Sequence, residues 1–320
     1  MARLDEHTLT LDQLRKTYPT GIEAVRGMSL IVRPGEVFGL VGPNGAGKTT
    51  LLKLASGLLY PQAGRVLCGA EDLTGQPRRA ARCIGFMPDP LGVYTDVSAR
   101  EYLEFFARTL EIPASERAGR MDEVVELLGL APWLEEEVET LSAGWQRRLA
   151  LGRVLLGRAP ILLLDEPAAG LDVAARSELL KLVKQLAAGH RAIVISSHIL
   201  PELHQLADRF GIVNRGQWVE VAPGQVFFSR ADIQSGFGRA RWLLRGSRPE
   251  VIRQILAGRG LAVDAAGGDG VTFAAADETV AAAALRAVMD QGVDVFEFRL
   301  QQMELTDLVL RTLREEPPPL

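Results

Sequence analysis

A chain of 320 residues is long for one hydrophobic core, so two domains are expected, and 47% apolar with 24% charged residues is ordinary for a soluble globular protein. The formal net charge of −4 argues against a general nucleic-acid binder, and no nucleic-acid partner is expected. The two cysteines, Cys68 and Cys83, form no metal-ligand pattern and fit a reducing cytoplasm. The N-terminus "MARLDEHTLT" lacks the apolar core of a secretory signal, and no apolar run approaches the ~18–20 residues that span a bilayer.

In chain order, "TLTLDQL", "MSLIVRPG" and "EVFGLVG" read as strands separated by turns, and "KTTLLKLASGLL" has helical periodicity. "RVLCGAE" and "CIGFMPD" are strand-like. "SAREYLEFFARTL" opens with a capping box, Ser98 with Glu101, and continues as an amphipathic helix, and "MDEVVELLGL" is a further helix. "TLSAGWQRRLALG" then turns on a serine and a glycine into an arginine-rich apolar helix. "ILLLDEP" is an apolar strand expected in the centre of a parallel sheet, followed by a crossover helix "VAARSELLKLVKQLAAG" and the strand "RAIVISSH". "GIVNRGQWVEV" reads as a hairpin turning near Asn214, Arg215 and Gly216. Strands alternating with helices give an α/β, doubly wound core over residues 1–225. Residues 226–320 form a second domain, in which β-α-β-β-α-β followed by a helix predicts a small α+β ferredoxin-like unit, with "EEPPPL" as a disordered tail.

The loop Gly42, Pro43, Asn44, Gly45, Ala46, Gly47, Lys48, Thr49, Thr50 fits G-x-x-x-x-G-K-T and lies between a predicted strand and a predicted helix, where the chemistry requires it. Glycines permit the backbone angles that turn successive N–H groups inward, and the helix N-terminus adds positive dipole. Lys48 would reach the β- and γ-phosphates of ATP, and the Thr49 hydroxyl would ligate Mg²⁺. Asp165, at the end of "ILLLD", can hold the metal through water, and Glu166 can act as general base toward the attacking water. His198 ends the next strand, where a histidine can touch the γ-phosphate; a structural role fits it equally. His7, His190 and His204 read as ordinary surface or packing residues. Ser142 and Gly144 offer a second phosphate-facing turn, or Ser142 is simply a helix N-cap; the residues alone leave both open.

The ordered set "GPNGAGKTT", "LSAGWQRR", "ILLLDEP", "AGLD" and "SSH" resembles the nucleotide-binding subunit of an ABC transporter over residues 8 to about 225. The resemblance implies a P-loop NTPase with a RecA-like core, an antiparallel β subdomain and a helical subdomain at about 92–158. It also implies a head-to-tail homodimer, in which Ser142 and Gly144 of one chain close on ATP held by the other and Asp172 faces the interface. Tyr18 falls where the family stacks an aromatic ring on adenine. Asp89 stands where the family usually has glutamine, and could touch Mg²⁺ or its water. "IGFMPDPLGVYTDVSAREYLEFFA" and "ISSHILPELHQLADRFGIVNRGQ" resemble cassettes of ABC-2-type exporters, drug-resistance ATPases among them. That implies a separate membrane permease of about six helices and a peripheral place on the inner face of the cell membrane. The permease would dock on segment 92–135, where Tyr94, Tyr102, Phe105 and Phe106 could form a groove and about two of the four belong to the core.

Three positions depart from the family pattern. Besides Asp89, Ala143 replaces a glycine, which matters if φ is positive there, and Trp145 adds bulk. Ala168 and Ala169 also lack the hydroxyl often found before Gly170. None of these touches Lys48, Asp165, Glu166 or His198, so hydrolysis is expected to survive. A substrate-regulated importer is the alternative, and a soluble ATPase acting on nucleic acid or ribosomes is a weaker one, since neither a second cassette nor a long coiled-coil insertion is present.

Overall fold

The computed structural model describes residues 6–92, 94–234, 240–265, 270–301 and 304–315, and the chain divides into two compact units, residues 1–220 and 221–320. Of the tail expected to be disordered, 315–320, Glu315 instead ends a helix, and residues 316–320 lie outside the described residues, as does the turn at 266–269.

The first unit begins with β1 (Leu9–Thr17), β2 (Glu23–Val32), β3 (Val37–Val41), α1 (Lys48–Ala55), β4 (Ala63–Cys68) and β5 (Glu71–Asp72). It continues with α2 (Pro77–Cys83), β6 (Ile84–Met87), α3 (Ala99–Thr109), α4 (Ala114–Leu128) and α5 (Ala143–Leu156). It ends with β7 (Ile161–Asp165), α6 (Val173–Ala188), β8 (Ala192–Ser196), α7 (Leu200–Leu206), β9 (Arg209–Asn214) and β10 (Gln217–Trp218). One sheet is antiparallel in the order β2-β1-β4-β5. The other runs β10-β9-β3-β8-β7-β6, parallel except for β10.

Every residue of β3, β7 and β8 is buried, as continuous apolar runs must be in a sheet covered on both faces. The strand "ILLLD" is flanked on both sides, by β8 and β6, but sits one place in from the edge; β3 and β8 hold the middle. The three strands end on one side of the sheet, the side where ligands bind in doubly wound folds.

Helices α3, α4 and α5 pack on one another around Leu103, Val124, Leu128 and Gly152, the last leaving room for side chains that a Cβ would touch at 3.1 Å. The capping box of α3 is made: Glu101 N–H donates to Ser98 Oγ at 3.2 Å and Ser98 N–H to Glu101 Oε2 at 2.8 Å. The predicted strands missed α2, whose sequence "PRRAARC" buries only Ala80 and so carries little apolar periodicity. Cys68 and Cys83 are free thiols lying side by side, and burial, then the neighbouring Cys83, pushes the Cys68 thiol up to about 12.

The second unit opens with β11 (Phe227–Ser229) and α8 (Arg230–Gln234), neither foreseen from the sequence. Then come β12 (Ala240–Gly246), α9 (Pro249–Gly258), β13 (Val263–Ala265), β14 (Gly270–Ala275), α10 (Glu278–Asp290), β15 (Val295–Gln301) and α11 (Leu305–Glu315). The sheet is antiparallel in the order β13-β14-β12-β15. Leu244 and Phe273 from the strands, Ile252 and Leu256 from α9, and Ala281 and Val288 from α10 share one core, so both helices cover the same face.

Candidate functional site

Between β3 and α1 the chain follows a path that only glycine can take. Gly47, the N-cap of α1, has φ 111°, and a Cβ there would lie 2.3 Å from the carbonyl oxygen of Ala24. On Gly42 it would lie 2.2 Å from that of Val213. The β9–β10 hairpin turns through Arg215 at φ 47° and Gly216 at φ 77°, as a two-residue turn matched to strand twist requires. Its Gly216 N–H donates to Ala46 O at 2.8 Å and its carbonyl accepts from Arg26 N–H at 2.8 Å, so the tip of the hairpin ties the loop to β2.

Lys48 is buried, with Nζ donating to the carbonyls of Gly42 at 2.6 Å and Pro43 at 3.2 Å. Burial pushes its ammonium below the ordinary lysine value, while the nearby carboxylates of Glu166 and Asp165 pull the other way. Asp165, 1% exposed, is satisfied on both oxygens: Oδ2 accepts from Thr49 Oγ1 at 2.7 Å and Oδ1 from Ser196 Oγ at 2.6 Å. Ser196 Oγ in turn accepts from Glu166 N–H at 2.9 Å. Glu166 takes a left-handed backbone, φ 45°, which turns its carboxylate to within 2.6 Å of His198 Nδ1. The hydroxyl of Thr49 against the carboxylate of Asp165 is the hard-oxygen pair that Mg²⁺ takes, with phosphate oxygens and water completing the shell, so the donor set fits that ion.

A cleft of about 390 Å³ brings together Tyr18, the loop from Pro43 to Thr50, Asp89, Asp165 and Glu166. His198 joins through Glu166, and Gly42 underlies the loop through Lys48. Tyr18 Oη lies 3.2 Å from Thr50 Oγ1, which fixes the ring at the mouth. Asp89 is engaged on one oxygen: Arg147 Nη2 donates to its Oδ1 at 2.8 Å, and Arg147 Nη1 donates to the carbonyl of Glu166 at 2.9 Å.

Ser142, Gly144 and Asp172 do not line this cleft. Ser142 occupies the N-cap position of α5, yet its exposed side chain makes no capping hydrogen bond. Ala143 opens the helix without a positive φ, so the alanine in place of glycine meets no left-handed requirement. A Cβ on Gly144 would meet nothing closer than 3.7 Å. Asp172 caps α6 by accepting from Ala175 N–H at 2.9 Å. Trp145 is used inside the chain, its ring 5.1 Å from that of Trp133 and beneath the Arg148 guanidinium. Of the four aromatics at the helical segment, Tyr102 is core, Phe105 is 57% exposed, and Tyr94 and Phe106 are half-buried against Tyr102.

Two members of this network were not foreseen. Ser196 lies in "SSH", where attention falls on the histidine, and Arg147 lies in "WQRR", where neighbouring arginines look alike. A hydroxyl at the last position of the strand beside the carboxylates is the signal for Ser196; nothing in the sequence separates Arg147 from Arg148.

A protein-family model described as "ABC transporter" matches residues 25–169. The linearmycin resistance ATP-binding protein LnrL of Bacillus subtilis (strain 168) is 32% identical over 67% of this chain and 68% of its own length. A Nod factor export ATP-binding protein I of Burkholderia thailandensis is 35% identical over 78% and 80%, and the choline transport ATP-binding protein OpuBA of Bacillus subtilis 32% over 77% and 66%. Among solved structures, an ATP-binding subunit of an ABC transporter superposes with TM-score 0.63 at 25% identity, over 72% of this chain and 93% of that one.

Proposed function

The chain belongs to the ABC transporter family as an ATP-binding, ATP-hydrolysing subunit, and on that premise we propose that it powers an ABC-2-type exporter as a head-to-tail homodimer. The observation that carries the reading is the unbroken run Thr49–Asp165–Ser196–Glu166–His198 at the ends of β7 and β8, facing the glycine loop. In this reading Gly45, Ala46, Gly47, Lys48, Thr49 and Thr50 grip the phosphates of ATP, with Pro43 and Asn44 shaping the loop above Gly42, and Tyr18 stacks on the adenine. Thr49 and Asp165 would hold Mg²⁺, which would neutralise charge on the phosphate oxygens, and Asp89 could touch the ion or its water. Glu166 takes the proton of the attacking water, and His198 holds the Glu166 carboxylate in line. Lys48, already desolvated, needs little reorganisation to meet the developing charge.

Ser142, Gly144 and Asp172 serve the nucleotide of a second copy. The exposure of Ser142 and Asp172, and the position of all three off their own chain's cleft, support this. Closing and reopening such a dimer supplies the work. Moving a two-state permease almost fully from one state to the other takes about 5.5 kcal/mol of differential binding. Among the described residues no helix is long and apolar enough to cross a membrane, and the reading assigns that part to a permease of about six helices. That permease would seat on segment 92–135 and place this subunit on the inner face of the membrane. Residues 226–320 are an accessory ferredoxin-like domain; the strand order β13-β14-β12-β15 with two helices on one face supports this.

Export is supported by the resistance and Nod factor export relatives; OpuBA, named for choline transport, keeps a substrate-regulated importer as the second reading. Glu166→Gln tests the site: phosphate release from the purified chain should drop by about 100-fold or more while ATP still binds. Unchanged turnover removes Glu166 as the base. Size measurement of the same variant with ATP and Mg²⁺ should give a dimer, and a monomer there removes the head-to-tail reading.

A further inference from the structure

Arg147 lies five residues beyond Ser142, about one and a half turns into α5. Its side chain is 11% exposed, and a guanidinium so far from water persists only where its N–H groups find acceptors. It has two, and both belong to the hydrolytic end of the cleft: the carboxylate of Asp89 and the carbonyl of Glu166. Glu166 sits in a left-handed conformation that an L-residue adopts only when its surroundings impose it. Its peptide is fastened on both sides. The N–H is held by Ser196 of β8, while the carbonyl accepts from Arg147 and from Ala169 N–H at 3.1 Å. Ser196 fastens Glu166 to the sheet; Arg147 fastens it to the helix that starts at the second phosphate-facing turn.

We propose that Arg147 is a positioning residue that links the Ser142–Gly144 turn to the Glu166 carboxylate of its own chain, so that each nucleotide site is tuned by the occupancy of the other. The inference rests on the reading of Glu166 as the base and of the Ser142 turn as closing on a second copy's ATP. A triphosphate drawing on Ser142 and Gly144 moves the start of α5. The helix carries that movement one and a half turns without bending, and Arg147 delivers it to the peptide of Glu166 and to Asp89. Displacement of a catalytic group by about 1 Å changes a rate by about 100-fold, so a small shift suffices. Lysine cannot replace it: one ammonium does not span two acceptors in the fixed fork that guanidinium offers.

The test compares Arg147→Lys and Arg147→Met with the native chain, each first checked for an unchanged unfolding temperature. Both variants should lose kcat, by about 10-fold for Lys and about 50-fold for Met, with KM for ATP within about threefold of native. The Hill coefficient for ATP should fall to about 1 in both. In the nucleotide-free protein, exchange of the Ala169 amide hydrogen should quicken by about tenfold in both, because its acceptor carbonyl is no longer held. Native kcat in both variants, a loss carried by KM, or unchanged Ala169 exchange overturns the proposal. Should Arg147→Lys prove unstable, native-like exchange and cooperativity in Arg147→Met alone overturn it. A failure of the underlying reading shows elsewhere, as native turnover in Glu166→Gln, and leaves the exchange result as an independent measure of the Arg147 tie.

Discussion

The two turns to which we assign phosphate are built on opposite principles. The loop from Gly42 to Gly47 is pressed against main-chain oxygens at 2.2 and 2.3 Å from where side chains would start, and it is held by β2 and by a hairpin tip. The turn at Ser142–Gly144 has ordinary helix-start geometry, an exposed serine, and room for a methyl at Gly144 at ordinary contact distance from Ala175 and Leu171. The first is shaped by its own chain and needs nothing further to present its N–H groups. The second has no constraint from its own chain that explains its residues, which is what a surface meant for another molecule looks like.

The largest effect should come from Gly47→Ala. Left-handed strain and overlap with Ala24 O together cost about 2–4 kcal/mol, so both unfolding temperature and ATP binding should collapse. A native-like unfolding temperature breaks the claim that this turn is fixed by close approach. Next is Lys48→Met, which should lower turnover by about 100–1,000-fold. Because burial lowers the Lys48 pKa, the folded state disfavours its charge below the ordinary lysine value, and removing that charge should raise the unfolding temperature near neutral pH. A fall there means that the carboxylates, rather than burial, dominate the lysine.

Gly144→Ala sharpens the contrast. Stability should change by less than about 0.5 kcal/mol, since the added methyl meets no atom within 3.7 Å, while turnover per chain falls by about tenfold. Native turnover would mean that nothing approaches this turn during hydrolysis. Smallest is Asp172→Ala, which should cost about 1 kcal/mol for the lost cap of α6, read by denaturant midpoint. No loss of stability would leave Asp172 to the interface alone.

What was legible in the sequence follows the same division. The glycine loop, Asp165 and Glu166 could be read because the chemistry depends on local spacing at the ends of apolar strands, and such strands announce themselves by composition. The capping box of α3 was legible because both partners lie within one turn. Arg147 and Ser196 were not, because their roles depend on partners 58 and 30 positions away that only the fold brings near. Helix α2 escaped because five of its seven residues are arginine, proline or cysteine on a mostly solvated face. The bulk expected of Trp145 packs, within its own chain, against Trp133 and beneath Arg148.

The hairpin tip beneath the glycine loop has a consequence for biosynthesis. Gly42 leaves the ribosome well before the backbone that presses on it, which belongs to Val213, and before the donor that fixes Ala46, which belongs to Gly216. A nascent chain therefore carries the glycine loop unfinished through most of the synthesis of the first unit. On the role proposed for this loop, competence to hold ATP arrives late, when β9 and β10 join the sheet.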